Sequence, residues 1–265
     1  MVFGHNSDSQ AKNWNRRNAT VTLDFILILI AGALAGGFVN GLAGFGTSLF
    51  ALGWWLQIMP PLQAVALVLT LSVASGLQGA WVVRKAIEPK RLAVFLIPAL
   101  FGIPIGLQIL AIIDVDVLKL VVAGFLLTYA VFFIARRNLP SLTQEYPLVD
   151  GSLGFVGGIL GAIAGLSGAL PTMWMAMRDW PRQKTRAVLQ PYNIVVLGIS
   201  ATMLAVDGAF DRATLITMAI AFPATMLAAQ AGLWVFSRLS DVQFRWLLVM
   251  LMLTSGVVLM LRTLL

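Results

Sequence analysis

Between Phe25 and Val83 the chain carries no Asp, Glu, Lys or Arg. A helix crosses the hydrocarbon core of a membrane in about 20 apolar residues, so this stretch alone holds more than one membrane segment. Further charge-poor runs follow. The whole set is 21–59, 62–83, 92–113, 117–135, 151–177, 187–206, 213–237 and 242–261. Most are near spanning length. They lack the strict alternation of a lipid-facing strand, and backbone polar groups in lipid must be satisfied within the segment. The pattern therefore predicts an all-α integral membrane protein. A short polar and basic tail, residues 1–20, precedes the first run, and RRNLPSLTQEYPLVD at 136–150 reads as a linker between two membrane regions, 21–135 and 151–265.

The two regions resemble each other. AGGFVNGLAGFGTSLF, starting at Ala35, aligns with VGGILGAIAGLSGALP, starting at Val156, so that Gly36, Gly37, Ala43, Gly44 and Leu49 match Gly157, Gly158, Ala164, Gly165 and Leu170. Both runs lead to a proline at the same offset, Pro60 and Pro181. Later, IPA at 97–99 echoes FPA at 222–224, and VDV at 115–117 echoes SDV at 240–242. Matches in the same order over the whole length point to an internal repeat.

Charge sharpens the topology. Arg84, Lys85, Lys90 and Arg91 form one basic cluster, and Arg178, Arg182, Lys184 and Arg186 another. Basic loops are retained on the cytoplasmic side, which places the acidic turns at Asp114 and Asp207 outside. Three apolar runs separate the two clusters, and three crossings put them on opposite faces. Both stay cytoplasmic only if one run enters and returns. The run 151–177 is rich in glycine, which breaks helices, and its length fits a hairpin of two half-helices. If each half does this, the halves are inverted repeats with glycine-broken, re-entrant helices, as in many secondary transporters. That scheme leaves Lys12, Arg16 and Arg17 outside, against the same charge rule; the rival is a plain bundle of eight crossings.

Composition narrows the chemistry. The chain is 59% hydrophobic and 11% charged, with a formal net charge of +7, which the cytoplasmic loops account for without nucleic acid. It has no cysteine, and its single histidine, His5, lies in the tail. Thiolate catalysis and Cys-based metal sites are thus excluded, a His-based site is not expected, no cofactor is implied, and no phosphate-binding loop is present. An enzyme is not expected. Irregular backbone at membrane depth survives where it lines a cavity, and half-helix N-termini there present N–H groups and a positive dipole end suited to an anion. The candidate substrate residues are Asn40, Gly44, Phe45, Gly46, Thr47 and Ser48 in the first run, and Gly165, Ser167, Gly168 and Thr172 in the second. QPYN at 190–193 adds Gln190, Tyr192 and Asn193, polar groups that are costly in lipid unless paired. Close helix packing is the alternative use of the small residues, and interhelical bonding that of the polar ones, including Ser72, Ser75 and Gln78. The expected site lies near the midplane between 44–48 and 165–169 and uses neutral donors; Lys184 and Arg186, at the start of the QPYN helix, could attract an anion but are read first as cytoplasmic anchors.

At these glycine runs the sequence resembles the sulfite exporter TauE/SafE family of bacterial membrane proteins. The resemblance spans nearly the whole chain after the tail. It rests on the doubled glycine-rich segment, the basic loop after the second helix and the proline-bearing third helix of each half. GFGTS at 44–48 and GLSGA at 165–169 depart from the consecutive glycines common in the family. The resemblance implies a secondary transporter, often an exporter, of sulfite, a sulfonate or a related organic anion across a bacterial inner membrane. An anion channel and a membrane scaffold are the alternatives. The implied partners are a small anion and the bilayer, and the oligomeric state is left open, a homodimer included.

Overall fold

A computed structural model describes residues 23–135, 142, 144–178, 180 and 182–264. The basic tail and His5, the arginines at 136 and 137, and Pro181 lie outside the described residues. Among those described, the chain forms ten α-helices: α1 Leu23–Ala43, α2 Thr47–Trp55, α3 Pro61–Val83, α4 Pro89–Ile112, α5 Val115–Ala135, α6 Pro147–Ala164, α7 Ala169–Ala176, α8 Arg182–Val206, α9 Arg212–Arg238 and α10 Asp241–Leu264. Seven of them, α1, α3 to α6, α8 and α9, are long and apolar enough to cross a membrane. In α10 the apolar part is the shorter Val249–Leu261. The protein is a multi-pass helical membrane protein.

Local chemistry starts these helices where they start. Proline opens α3, α4 and α6 at Pro61, Pro89 and Pro147, where its missing N–H is no loss. Asp211 caps α9 by accepting from the Thr214 N–H at 2.7 Å, which satisfies one of the free donors of the first turn. The outer surface is apolar. Ile97, Phe101 and Ile112 on α4, and Leu215, Leu227 and Trp234 on α9, are exposed, a distribution that suits lipid and not water.

The two longest interfaces pair α1 with α9 and α4 with α6; α3 packs on α8 and α5 on α10. Exchanging α1–α5 with α6–α10 in order carries the α1–α9 pair onto α6–α4 and the other two pairs onto themselves. Glycine makes both long seams close. A Cβ on Gly37 of α1 would fall 2.5 Å from the Thr225 carbonyl oxygen of α9, and one on Gly41 would collide with the backbone of Ala229. On the other seam, Gly154 and Gly158 of α6 lie against the backbone of Phe95 and Ala99 in α4. Most glycines of the two runs are thus packing residues.

Each glycine run breaks once. Gly44 and Gly165 both leave the helix with positive φ, 83° and 67°, and each N–H still bonds the carbonyl four residues back, Asn40 or Gly161, at 2.7 Å. This is the left-handed helix stop that glycine adopts without steric penalty. A short helix then runs back along its partner. The Trp55 indole at the end of α2 donates to the Leu29 carbonyl of α1 at 3.1 Å. In the second half the Trp174 indole of α7 donates to Asp150 Oδ1 of α6 at 2.6 Å. The register that matches Gly36 with Gly157 also matches Leu29 with Asp150.

Two expectations are corrected here. The expected linker 136–150 ends early, because α6 begins at Pro147. Asp150, taken for a linker residue, is buried in its first turn. Arg178, taken for part of an exposed basic cluster, is buried too and donates to Asp150 Oδ1 at 2.6 Å, so segment 147–178 returns to its own start. Two of the remaining basic residues make ion pairs: Lys184 lies 3.7 Å from Glu88, and Arg91 pairs with Glu145 at 2.8 Å and covers the Trp180 ring.

Candidate functional site

The two breaks meet. A small cavity between them is lined by Asn40, Gly44, Phe45 and Gly46 of the first, Gly165 and Ser167 of the second, Ser72 of α3, and Gln190, Asn193, Ile194 and Leu197 of α8. Eight residues anticipated from sequence therefore come together: Asn40, Gly44, Phe45, Gly46, Gly165, Ser167, Gln190 and Asn193. Three of the lining pairs, Gly44 with Gly165, Gly46 with Ser167 and Ser72 with Asn193, keep the spacing that aligns the two glycine runs.

The polar groups of the cavity hold one another in place. Asn40 Nδ2 donates to Ser75 Oγ at 2.6 Å and to the Ser72 carbonyl at 3.2 Å. Asn193 bridges the two breaks. Its Nδ2 donates to the Gly44 carbonyl at 3.2 Å, and its Oδ1 accepts from Ser167 Oγ at 2.7 Å. Gln190 Nε2 donates to the Gly76 carbonyl at 3.1 Å, which fixes the amide so that Oε1 is buried without a partner among the described residues. The α2 helix starts at this break, and the first N–H groups of any helix have no partner within it.

The other anticipated residues fall outside the lining. The Thr47 and Ser48 hydroxyls are buried without partners among the described residues, and Ser48 Oγ lies where a Cβ on Gly165 would be. Gly168 packs on the Asn193 amide. Thr172 bonds the Gly168 carbonyl of its own helix at 2.6 Å. Tyr192 donates to the Gly154 carbonyl at 2.9 Å and meets the Phe95 ring edge-on, a helix-packing role.

Arg186 departs most from expectation. It is buried, 4% exposed, and is not a surface anchor. Its Nη2 donates to the Gly41 carbonyl at 2.8 Å and its Nη1 to the Leu42 carbonyl at 3.5 Å, while the guanidinium lies over the Phe236 ring. It thus caps the C-terminal end of α1, the negative end of the helix dipole. The available signal was spacing. Arg186, Gln190 and Asn193 lie four and three residues apart, on one face of a helix.

A multi-pass bundle in which two discontinuous helices bring their breaks to one buried polar cavity is the architecture of a membrane transporter. The chain belongs to the sulfite exporter TauE/SafE family, whose model matches residues 28–259. A comparison with curated proteins finds no significant match.

Proposed function

We propose that this transporter moves a small sulfur oxyanion, sulfite or a sulfonate, outward across a bacterial inner membrane, binding it in the cavity between the two glycine breaks. The observation that carries the reading is the meeting of a break from each half at one cavity, tied by Asn193 between Gly44 and Ser167. Helix ends aimed at a buried site serve anionic substrates without a full formal charge at each contact. Sulfite is the substrate in the family's name.

The same reading makes the two helix pairs α1–α2 and α6–α7 re-entrant and the two halves inverted. Supporting it, the basic segments on either side of α4–α7 touch through Glu88 and Lys184, and α7 ends beside the first turn of α6 through Asp150 and Arg178. With α4 and α5 crossing out and back, α6–α7 enters from the cytoplasmic side and returns to it. The first half then starts from the opposite face, and rocking of one half against the other gives alternating access.

The test is thermal stabilisation of purified protein by a panel of anions, followed by flux into liposomes. Sulfite, or a sulfonate such as methanesulfonate, should raise the midpoint and be transported, since a ligand stabilises the state it binds. Stabilisation by neither, with no flux, rejects the reading.

A further inference from the structure

Two arginines are buried among the described residues, Arg178 and Arg186. Arg178 has Asp150 at 2.6 Å. Arg186 has no carboxylate at ion-pair distance among the described residues. Its partners are the two carbonyls that end α1 and the face of Phe236. Its Nε is buried and has no hydrogen-bond partner among the described residues. That atom lies on the Gly44 side: a Cβ built on Gly44 would be 3.6 Å from it, and Gly44 lines the cavity.

We propose that Arg186 supplies the positive charge of the substrate site, with the anion docking against its Nε–H where the chain breaks at Gly44. The proposal deepens the anion-transport reading above and rests on it. An arginine carries five N–H donors in a planar fork, and the carbonyl bonds leave Nε free. A buried cation without a counter-charge is unfavourable, and an anion beside it removes that penalty. The α1 carbonyls act as resting partners. They offset part of the charge while the site is empty, so a departing anion does not strand a bare guanidinium. Arg186 in turn neutralises the negative end of α1, which would otherwise repel an anion from the break, and leaves the positive end of α2 as the dominant dipole there. The matching position in the first half is Val65, so the charge is carried once, by a helix of the second half at the break of the first.

The test compares wild-type protein with R186Q and R186K, each purified in detergent and checked for monodispersity. Dissociation constants are measured by calorimetry for sulfite, at mildly alkaline pH where it is mainly the dianion, and for the monovalent methanesulfonate. R186Q can still donate to the α1 carbonyls but has no charge. It should weaken sulfite binding roughly tenfold or more, and by a larger factor than methanesulfonate, because attraction to a lost charge scales with the charge of the anion. A residue that only caps α1 would weaken both equally. R186K keeps the charge without the fork. It should weaken sulfite less and retain the preference for the dianion, and it carries the test if R186Q does not stay monodisperse. Unchanged affinity in the folded variants, or equal loss for the two anions, overturns the proposal while leaving transport standing. Absence of binding by the wild type overturns both.

Discussion

The side-chain amide of Asn193 donates to the Gly44 carbonyl across 3.2 Å, joining a helix of the second half to the break in the first. The same amide accepts from Ser167, so one residue holds both helix tips. Asn193→Leu keeps the bulk and removes the bridge, leaving the Gly44 carbonyl and the Ser167 hydroxyl buried without it at a cost of about 1–3 kcal/mol for an unsatisfied group. The expected outcome is a lower melting midpoint, folded protein at the membrane and a large loss of sulfite flux in liposomes. Normal flux at normal expression would reduce Asn193 to a packing residue.

Chain direction is open to direct labelling, because the protein has no native cysteine. Glu88 and Lys184 lie 3.7 Å apart, so cysteines placed at 88 and 184 should react with an impermeant thiol reagent from the same side, the cytoplasmic one. Cysteines at the exposed Asp114 and Asp207 should react from the other. Labelling of 88 and 184 from opposite sides would rule out a returning α6–α7 pair and restore a full crossing there.

The helices were legible because lipid demands long apolar runs, and the breaks because glycine is concentrated there. The fate of individual glycines was not. Gly37 and Gly41 stand in the same run as Gly44 yet press on the α9 backbone, and whether a glycine packs or turns depends on a helix far away along the chain. The environment of the buried charges is hidden from the sequence for a related reason. Arg178 and Arg186 sit in a basic stretch that looks like a loop, and position along the chain does not reveal that Asp150 or the last carbonyls of α1 wait beside them. Seven of the cavity residues stand out as polar residues or glycines within apolar runs, and Phe45 only by lying between Gly44 and Gly46. By sequence Ser72 belongs with the helix-bonding polar residues, because a serine in a membrane helix carries little signal of its own.

Asp150 and Arg178 clasp the open end of the α6–α7 pair, with Trp174 donating to the same carboxylate oxygen. Both charges are buried, so removing one strands the other. Asp150→Asn should destabilise the protein by about 3–5 kcal/mol, whereas replacing both, Asp150→Leu with Arg178→Met, should cost much less. Thermal or denaturant unfolding in detergent checks the order. A single variant as stable as wild type would show that the pair is not held in the folded state.

The glycines divide into three classes whose substitutions should differ in kind. At Gly44 the backbone has φ 83°, and a Cβ would lie 2.6 Å from Gln190 Oε1; at Gly165 φ is 67° and a Cβ would strike Ser48 Oγ. A side chain there meets a left-handed backbone, at about 1–2 kcal/mol, and also fills the approach to the cavity. Gly44→Val and Gly165→Val should therefore abolish sulfite binding in protein that remains monodisperse. Gly41 is different: its φ is ordinary, but even one methyl group collides with the Ala229 backbone, so Gly41→Ala should lower the melting midpoint by forcing α1 and α9 apart, an effect of about 1–3 kcal/mol. At Gly124 on α5 a Cβ would meet nothing within 4 Å among the described residues, and Gly124→Ala should be neutral or stabilising by up to about 1 kcal/mol through helix propensity. The decisive comparison is binding against stability across the series. Loss of binding at 44 and 165 that exceeds the loss of stability, with the reverse at 41, locates the substrate at the breaks. If both valine variants stay folded and bind sulfite as the wild type does, the site lies elsewhere, and the positive-φ glycines serve only to turn the chain.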